Sequence, residues 1–142
     1  MTGSLTPLAG LLCDDVRFEA DGRYSLMGLV PAALTVVAFP ARQRVHAVVL
    51  FRADKPGTCV VGTGLRWRGE LRWQVETELE ITEAGGCTAV PMGNTVAGFD
   101  QEGELALEVT INGKTTVVAT FGIQQDETIS DEAEAPESDR RT

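Results

Sequence analysis

Chemistry in this chain would have to start from Cys13-Asp14-Asp15 or from His46, the single histidine. A reactive thiolate needs positive charge or an imidazole base beside it, whereas adjacent carboxylates raise the thiol pKa. Cys13 has the carboxylates, so Asp14 or Asp15 is expected to pair with Arg17 or a strand-end amide and to be structural. His46 lies in Val45-His46-Ala47-Val48-Val49-Leu50-Phe51-Arg52, and no orienting partner of the kind a general base needs is assignable from sequence. Cys13, Cys59 and Cys87 are odd in number and lack Cys-x-x-Cys spacing, so they read as reduced, buried thiols. A metal-dependent enzyme would need His46 within ligand distance of at least two of Cys13, Cys59, Cys87, Asp14 and Asp15. Asp14, Asp15, Asp21 and Asp100 form no Asp-x-Asp-x-Asp calcium loop, and Asp21-Gly22 is explained as a turn. Phosphate-cradling glycine loops, a Gly-x-Ser-x-Gly elbow and His-Glu-x-x-His are absent. The expectation is a protein that is not an enzyme, with no catalytic residue, cofactor or metal.

Arg66-Trp67-Arg68 followed by Arg72-Trp73 superficially offers a stacking platform for nucleic-acid bases. Strand parity argues against it. From Leu71 to Glu83 the residues Leu71, Trp73, Val75, Thr77, Leu79 and Ile81 alternate with Arg72, Gln74, Glu76, Glu78, Glu80 and Thr82, and Cys59, Val61, Thr63, Leu65 and Trp67 repeat that parity. In a strand, alternate side chains point to opposite faces, so both tryptophans go to the core and the charges to water. The outward side then carries a basic end (Arg66, Arg68, Arg72) and an acidic end (Glu76, Glu78, Glu80), separated by Gly62 and Gly64. Such a face can dock a protein partner by charge complementarity.

These side chains must be positioned by strands. No window holds a 3.6-residue apolar stripe, whereas turn signals and β-branched runs alternate along the chain. Hairpins are expected around Asp21-Gly22, Gly69-Glu70 and Asn112-Gly113. In the second, an even-membered loop would set Trp67 opposite Arg72, so an odd-membered loop is expected. In the third, a three-residue loop ending at Gly113 is expected, aligning Leu105, Leu107 and Val109 with Thr115, Val117 and Ala119; Val118 favours the simpler two-residue turn. Pro31 and Pro40 bracket a strand at 34–39, Val45 to Ala53 reads as a central strand, and Ala89 to Asp100 as two short strands or a strand with an irregular edge. The total, eight or nine strands, predicts an all-β, two-sheet antiparallel sandwich at 8–123 behind a flexible segment at 1–7.

The run Leu11-Leu12-Cys13-Asp14-Asp15-Val16-Arg17, then Asp21-Gly22-Arg23, Ser25-Leu26-Met27-Gly28-Leu29 and Phe39-Pro40, resembles an uncharacterised bacterial family of small β-sandwich proteins, a domain of unknown function. Gly103-x-Leu105-x-Leu107 with Ile111-Asn112-Gly113 is similar to that family's last hairpin, where aromatic residues are usual at the two leucine positions. The resemblance implies a sandwich and no activity.

At 142 residues and 43% apolar content the chain can build a core without disulfides. No apolar run reaches the roughly 20 residues of a membrane span, and the start lacks a basic n-region, so a cytoplasmic location and no membrane partner are expected. The net charge of −9 opposes nucleic-acid binding. More than half of it falls at 124–142, where Asp126, Glu127, Asp131, Glu132, Glu134, Glu137 and Asp139 outweigh Arg140 and Arg141. This acidic tail is expected to be disordered and to fold back weakly on Arg66, Arg68 and Arg72. Together these readings predict a protein-interaction or self-assembly module working through an outer sheet face or edge. The alternative is small-ligand or carbohydrate binding in a cleft at one sandwich end, lined by Tyr24 or Phe99.

Overall fold

The computed structural model describes residues 1–126. Its strands are β1 (Ser4–Cys13), β2 (Asp15–Phe18), β3 (Tyr24–Met27), β4 (Ala33–Val36), β5 (Ala41–Lys55), β6 (Gly57–Trp67), β7 (Glu70–Ile81), β8 (Cys87–Phe99), β9 (Gly103–Ile111) and β10 (Lys114–Gln125). They form a five-stranded sheet in the order β4-β10-β9-β6-β7, a three-stranded sheet in the order β1-β5-β8, and a separate β2-β3 hairpin. The fold is all-β and layered as a sandwich, with ten strands rather than eight or nine. One pairing departs from the antiparallel expectation, since β4 runs parallel to β10. No helix of the described residues is long and apolar enough to cross a membrane.

Period-two patterning builds the core. Cys59, Val61, Leu65 and Trp67 of β6 and Leu105, Leu107, Val109 and Ile111 of β9 face Val45, Ala47, Val49 and Phe51 of β5. The Trp67 indole meets the Phe99 ring edge to face, with centroids 4.9 Å apart, a geometry aromatic pairs prefer. Gly10 brings β1 against β10, where a Cβ would stand 2.6 Å from Val118.

Both long hairpins correct the expected loops. Arg68-Gly69 and Asn112-Gly113 are two-residue turns in which both residues have positive φ (50° and 85°, then 51° and 82°). That is the turn type whose twist matches the strands. The parity conflict remains, and it is resolved inside the second strand of each hairpin. Arg66 pairs with Leu71 while Leu65 pairs with Trp73, leaving Arg72 as the extra residue; Val117 pairs with Glu108 while Ala119 pairs with Leu107, leaving Val118 as the extra one. Each β-bulge shifts the remainder of its strand by one residue and returns the apolar side to the core.

Three boundaries also differ. Residues 1–7, expected to be flexible, enter the sheets: β1 begins at Ser4, and Gly3 N–H donates to the Thr58 carbonyl at 2.8 Å. Residues 87–99 form one long strand, because Gly93, at φ 136°, absorbs a bulge where an interruption was expected. Gln124 and Gln125 complete β10, so the domain extends past 123. Residues 127–142 of the expected tail, and their docking on the arginines, lie outside the described residues.

Thr63 is buried in the core, and its hydroxyl has no hydrogen-bond partner among the described residues. A buried unpaired hydroxyl costs free energy that an isosteric methyl does not. Thr63→Val is therefore expected to raise unfolding stability by about 1 kcal/mol in urea titration. Trp67→Ala, which empties the centre of the core, is expected to lower it by about 3–5 kcal/mol.

Candidate functional site

The sequence places six charged residues on one outer face, and the structure separates them. Arg66 forms a two-pronged pair with Glu108, Nε to Oε2 at 3.2 Å and Nη2 to Oε1 at 3.1 Å, and its Nη1 donates to the Gly69 carbonyl at 3.0 Å. The Glu108 pairing holds the guanidinium pKa above its ordinary value. Arg72, displaced by the bulge, leaves that face; it lines the seam between β7 and β8 and pairs with Glu70 at 2.7 Å. Leu71, expected inside, takes the outer position instead and lies over Gly64. Arg68 sits exposed in the turn, without an ion pair among the described residues. The predicted basic end is thus largely neutralised. Glu76, Glu78 and Glu80 do form the predicted exposed row, set opposite Gly62, Val60 and Thr58 of β6.

The strand carrying those glutamates is the feature that sequence reasoning undervalued. β7 ends the five-stranded sheet, and Trp73 through Ile81 pair with β6 without a register shift and without proline. The other edges are blunted. β1 contains Pro7 and two register shifts, β8 contains Pro91 and the bulge before Gly93, and β4 has four residues and follows Pro31. Proline, bulges and shortness are the usual means of preventing edge-to-edge pairing. Among the described residues, β7 keeps the longest regular edge, nine residues from Trp73 to Ile81, against seven from Gly93 to Phe99 in β8.

The core-facing side of β7 is also incompletely covered. Leu65, Val61 and Cys59 on β6 are buried, while their cross-strand partners Trp73, Thr77 and Leu79 on β7 are only half-buried, as is Val75 opposite Thr63. The seam is pinched midway, where the Trp73 ring packs on Gly93; a Cβ there would lie 3.0 Å from the indole. On either side of the pinch it opens. One cavity of about 120 Å³ is bordered by Trp67, Trp73, Val96 and Arg72. The other, about 320 Å³, is bordered by Leu5, Phe51, Leu79, Ile81 and Val90, with Cys87 and Glu83 also lining it.

The remaining candidates are dispersed. Tyr24 packs edge to face on Phe18 at 5.1 Å in the β2-β3 hairpin and lines a concavity of about 470 Å³ with Glu19, Asp21 and Arg23, while Phe99 is buried on Trp67 and borders the cavity of about 120 Å³, so each lines a concavity and the two share none. Asp15 Oδ1 accepts from Val16 N–H at 3.0 Å and lies 4.0 Å from His46 Nε2, and Asp14 Oδ1 accepts from Gln43 Nε2 at 3.1 Å. Among the described residues no three His, Cys, Asp or Glu side chains converge as metal ligands would. Burial pushes the Cys13 thiol pKa up, and Asp14 and Asp15 add to the rise against one opposing backbone hydrogen bond; burial alone raises Cys59.

Cys13 and Cys59 are buried as expected, but Cys87, at the start of edge strand β8, is exposed. A thiol reagent at about pH 8 is therefore expected to label Cys87 alone in the native protein, and the other two only on unfolding. Peptide mapping after timed labelling reads this order, and early labelling of Cys13 would contradict the buried geometry.

No protein-family model matches the chain, and a search of curated proteins likewise returns no match.

Proposed function

We propose that the protein is a non-enzymatic interaction module that takes up an extended segment of a partner protein as an additional strand along β7. An edge strand presents a row of unpaired backbone donors and acceptors, and strand addition satisfies them in a segment that needs no prior structure. The observation that carries this reading is the contrast between edges: three are blunted, and the stretch from Trp73 to Ile81 is continuous. A sixth strand there would also cover the half-buried side chains of Trp73, Val75 and Leu79. In strand addition the main chain supplies affinity and pockets for alternate side chains supply selectivity.

The competing small-ligand reading is favoured by surface concavities among the described residues, including one of about 470 Å³ lined by Glu19, Asp21, Arg23 and Tyr24 and, at one end of the seam, one of about 320 Å³. The latter volume lies at the lower bound for ligand sites. Its position along β7, between Leu79 and Ile81, suits the side chain of an added strand equally well.

Hydrogen exchange tests the proposal. In the free protein, the 73–81 amides that point away from β6 are expected to exchange fast, and an alternating polar and apolar peptide of matching length is expected to protect them. Val75→Lys puts an inward charge on the edge, a device that blocks edge pairing. It is expected to abolish protection while shifting the unfolding midpoint by only a few degrees, about what 1 kcal/mol produces in a domain of this size. A peptide that binds without protecting these amides would lie elsewhere and overturn the proposal.

A further inference from the structure

Building on the edge reading, we infer that the segment taken up by β7 is one in which basic residues alternate with apolar ones, and that it comes from a different protein rather than a second copy of this chain.

The outward side of β7 carries Glu76, Glu78 and Glu80 at every second residue, so the carboxylates recur about every 7 Å along the strand. Their cross-strand neighbours on the inboard side are Gly62, Val60 and Thr58, none of which is a cation. Glu80 accepts a hydrogen bond from the Thr58 hydroxyl at 2.8 Å, while Glu76 and Glu78 make no ion pair or hydrogen bond among the described residues. The nearby guanidiniums are engaged elsewhere, Arg66 with Glu108 and Arg72 with Glu70. Cross-strand partners for the row must therefore come from the outboard side, the position of an added strand. Opposite charges directly across a ladder are favourable and like charges unfavourable.

The same rule excludes the chain's own β7 as partner. Pairing two copies edge to edge would set one row of glutamates beside another. A neutral strand would leave the carboxylates unanswered, and an acidic one would be repelled.

The other side of the added strand is specified by the seam. Residues alternating with the basic ones would point inward beside Trp73, Val75, Thr77 and Leu79, all half-buried. The cavity of about 320 Å³ next to Leu79 and Ile81, walled by Leu5, Phe51 and Val90, accepts a branched aliphatic or aromatic side chain. Toward the turn, beyond the pinch of Trp73 on Gly93, the separate cavity of about 120 Å³ admits only a small apolar group.

The test uses the full chain and capped peptides matching Trp73–Ile81 in length: alternating Lys-Val, Thr-Val and Glu-Val, a block peptide of the same Lys and Val content, and the Lys-Val peptide with alternate amides N-methylated. Affinity is read by calorimetry, and location by protection of the β7 amides and by the emission shift of Trp73 in a Trp67→Phe background. Lys-Val is expected to bind about tenfold more tightly than Thr-Val, with Glu-Val weaker still. The preference is expected to shrink to about twofold in the Glu76→Gln, Glu78→Gln, Glu80→Gln variant and at high salt, because exposed charges are screened. N-methylation and the block order are expected to remove protection. Thr-Val or Glu-Val binding as tightly as Lys-Val would overturn the basic specification and leave the edge reading standing. Equal binding by the block peptide would do the same, by reducing the preference to bulk attraction. If no alternating peptide protects the β7 amides, the edge reading itself falls.

Discussion

Two requirements compete in each long hairpin of this protein, and the way they are reconciled shapes the surface. A two-residue turn with both residues at positive φ matches the right-handed twist of its strands, so Arg68-Gly69 and Asn112-Gly113 are locally favoured. Each turn also fixes the register, and in both hairpins that register would send half the apolar residues to water. Core burial outweighs the turn preference, since burying one aliphatic side chain is worth about 1.5–3 kcal/mol and several are at stake in each strand. The fold keeps both, inserting an extra residue at Arg72 and at Val118.

The insertion at Arg72 has effects beyond its own strand. It turns Leu71 outward over Gly64 and swings Arg72 from the charged face into the β7-β8 seam. Arg66, left on the outer face, is held by Glu108 and the turn carbonyl of Gly69. An apparent cluster of three arginines thus resolves into two compensated guanidiniums and one exposed in the turn. The glutamates beyond the bulge keep their alternation because the strand is regular from Trp73 onward.

The edges express a division of labour within the sandwich. Backbone groups at a sheet edge are satisfied by water or by another strand, and a protein that needs to remain unpaired interrupts the edge. β1 and β8 are interrupted, and β4 and the β2-β3 hairpin offer only four-residue strands. β7 differs beyond its bulge: from Trp73 to Ile81 it is regular, acidic on its outward side and half-covered on its inner side. The pinch of Trp73 on Gly93 ties it to β8 while leaving cavities on both sides. A strand built this way would set like charges against a copy of itself, and the partner proposed for it is one of complementary charge.

Much of this is legible from residue order alone. Alternation of apolar and polar residues is a local property, and it determines the all-β class, the central position of 45–53, the inward parity of Cys59 through Trp67 and the outward row of Glu76, Glu78 and Glu80. It also indicates that each hairpin needs an extra residue. Where that residue goes was decided by the tertiary structure, because parity counts residues and does not say whether the odd one belongs to a turn or to a strand. For the same reason parity puts Leu71 and Arg72 on the wrong sides. Partners distant in sequence, such as Arg66 with Glu108 or Trp67 with Phe99, depend on strand order, which pattern does not encode. The openness of β7 is likewise relational: an edge exists only by virtue of what does not pair beside it, and that was set by how the two sheets close over the core.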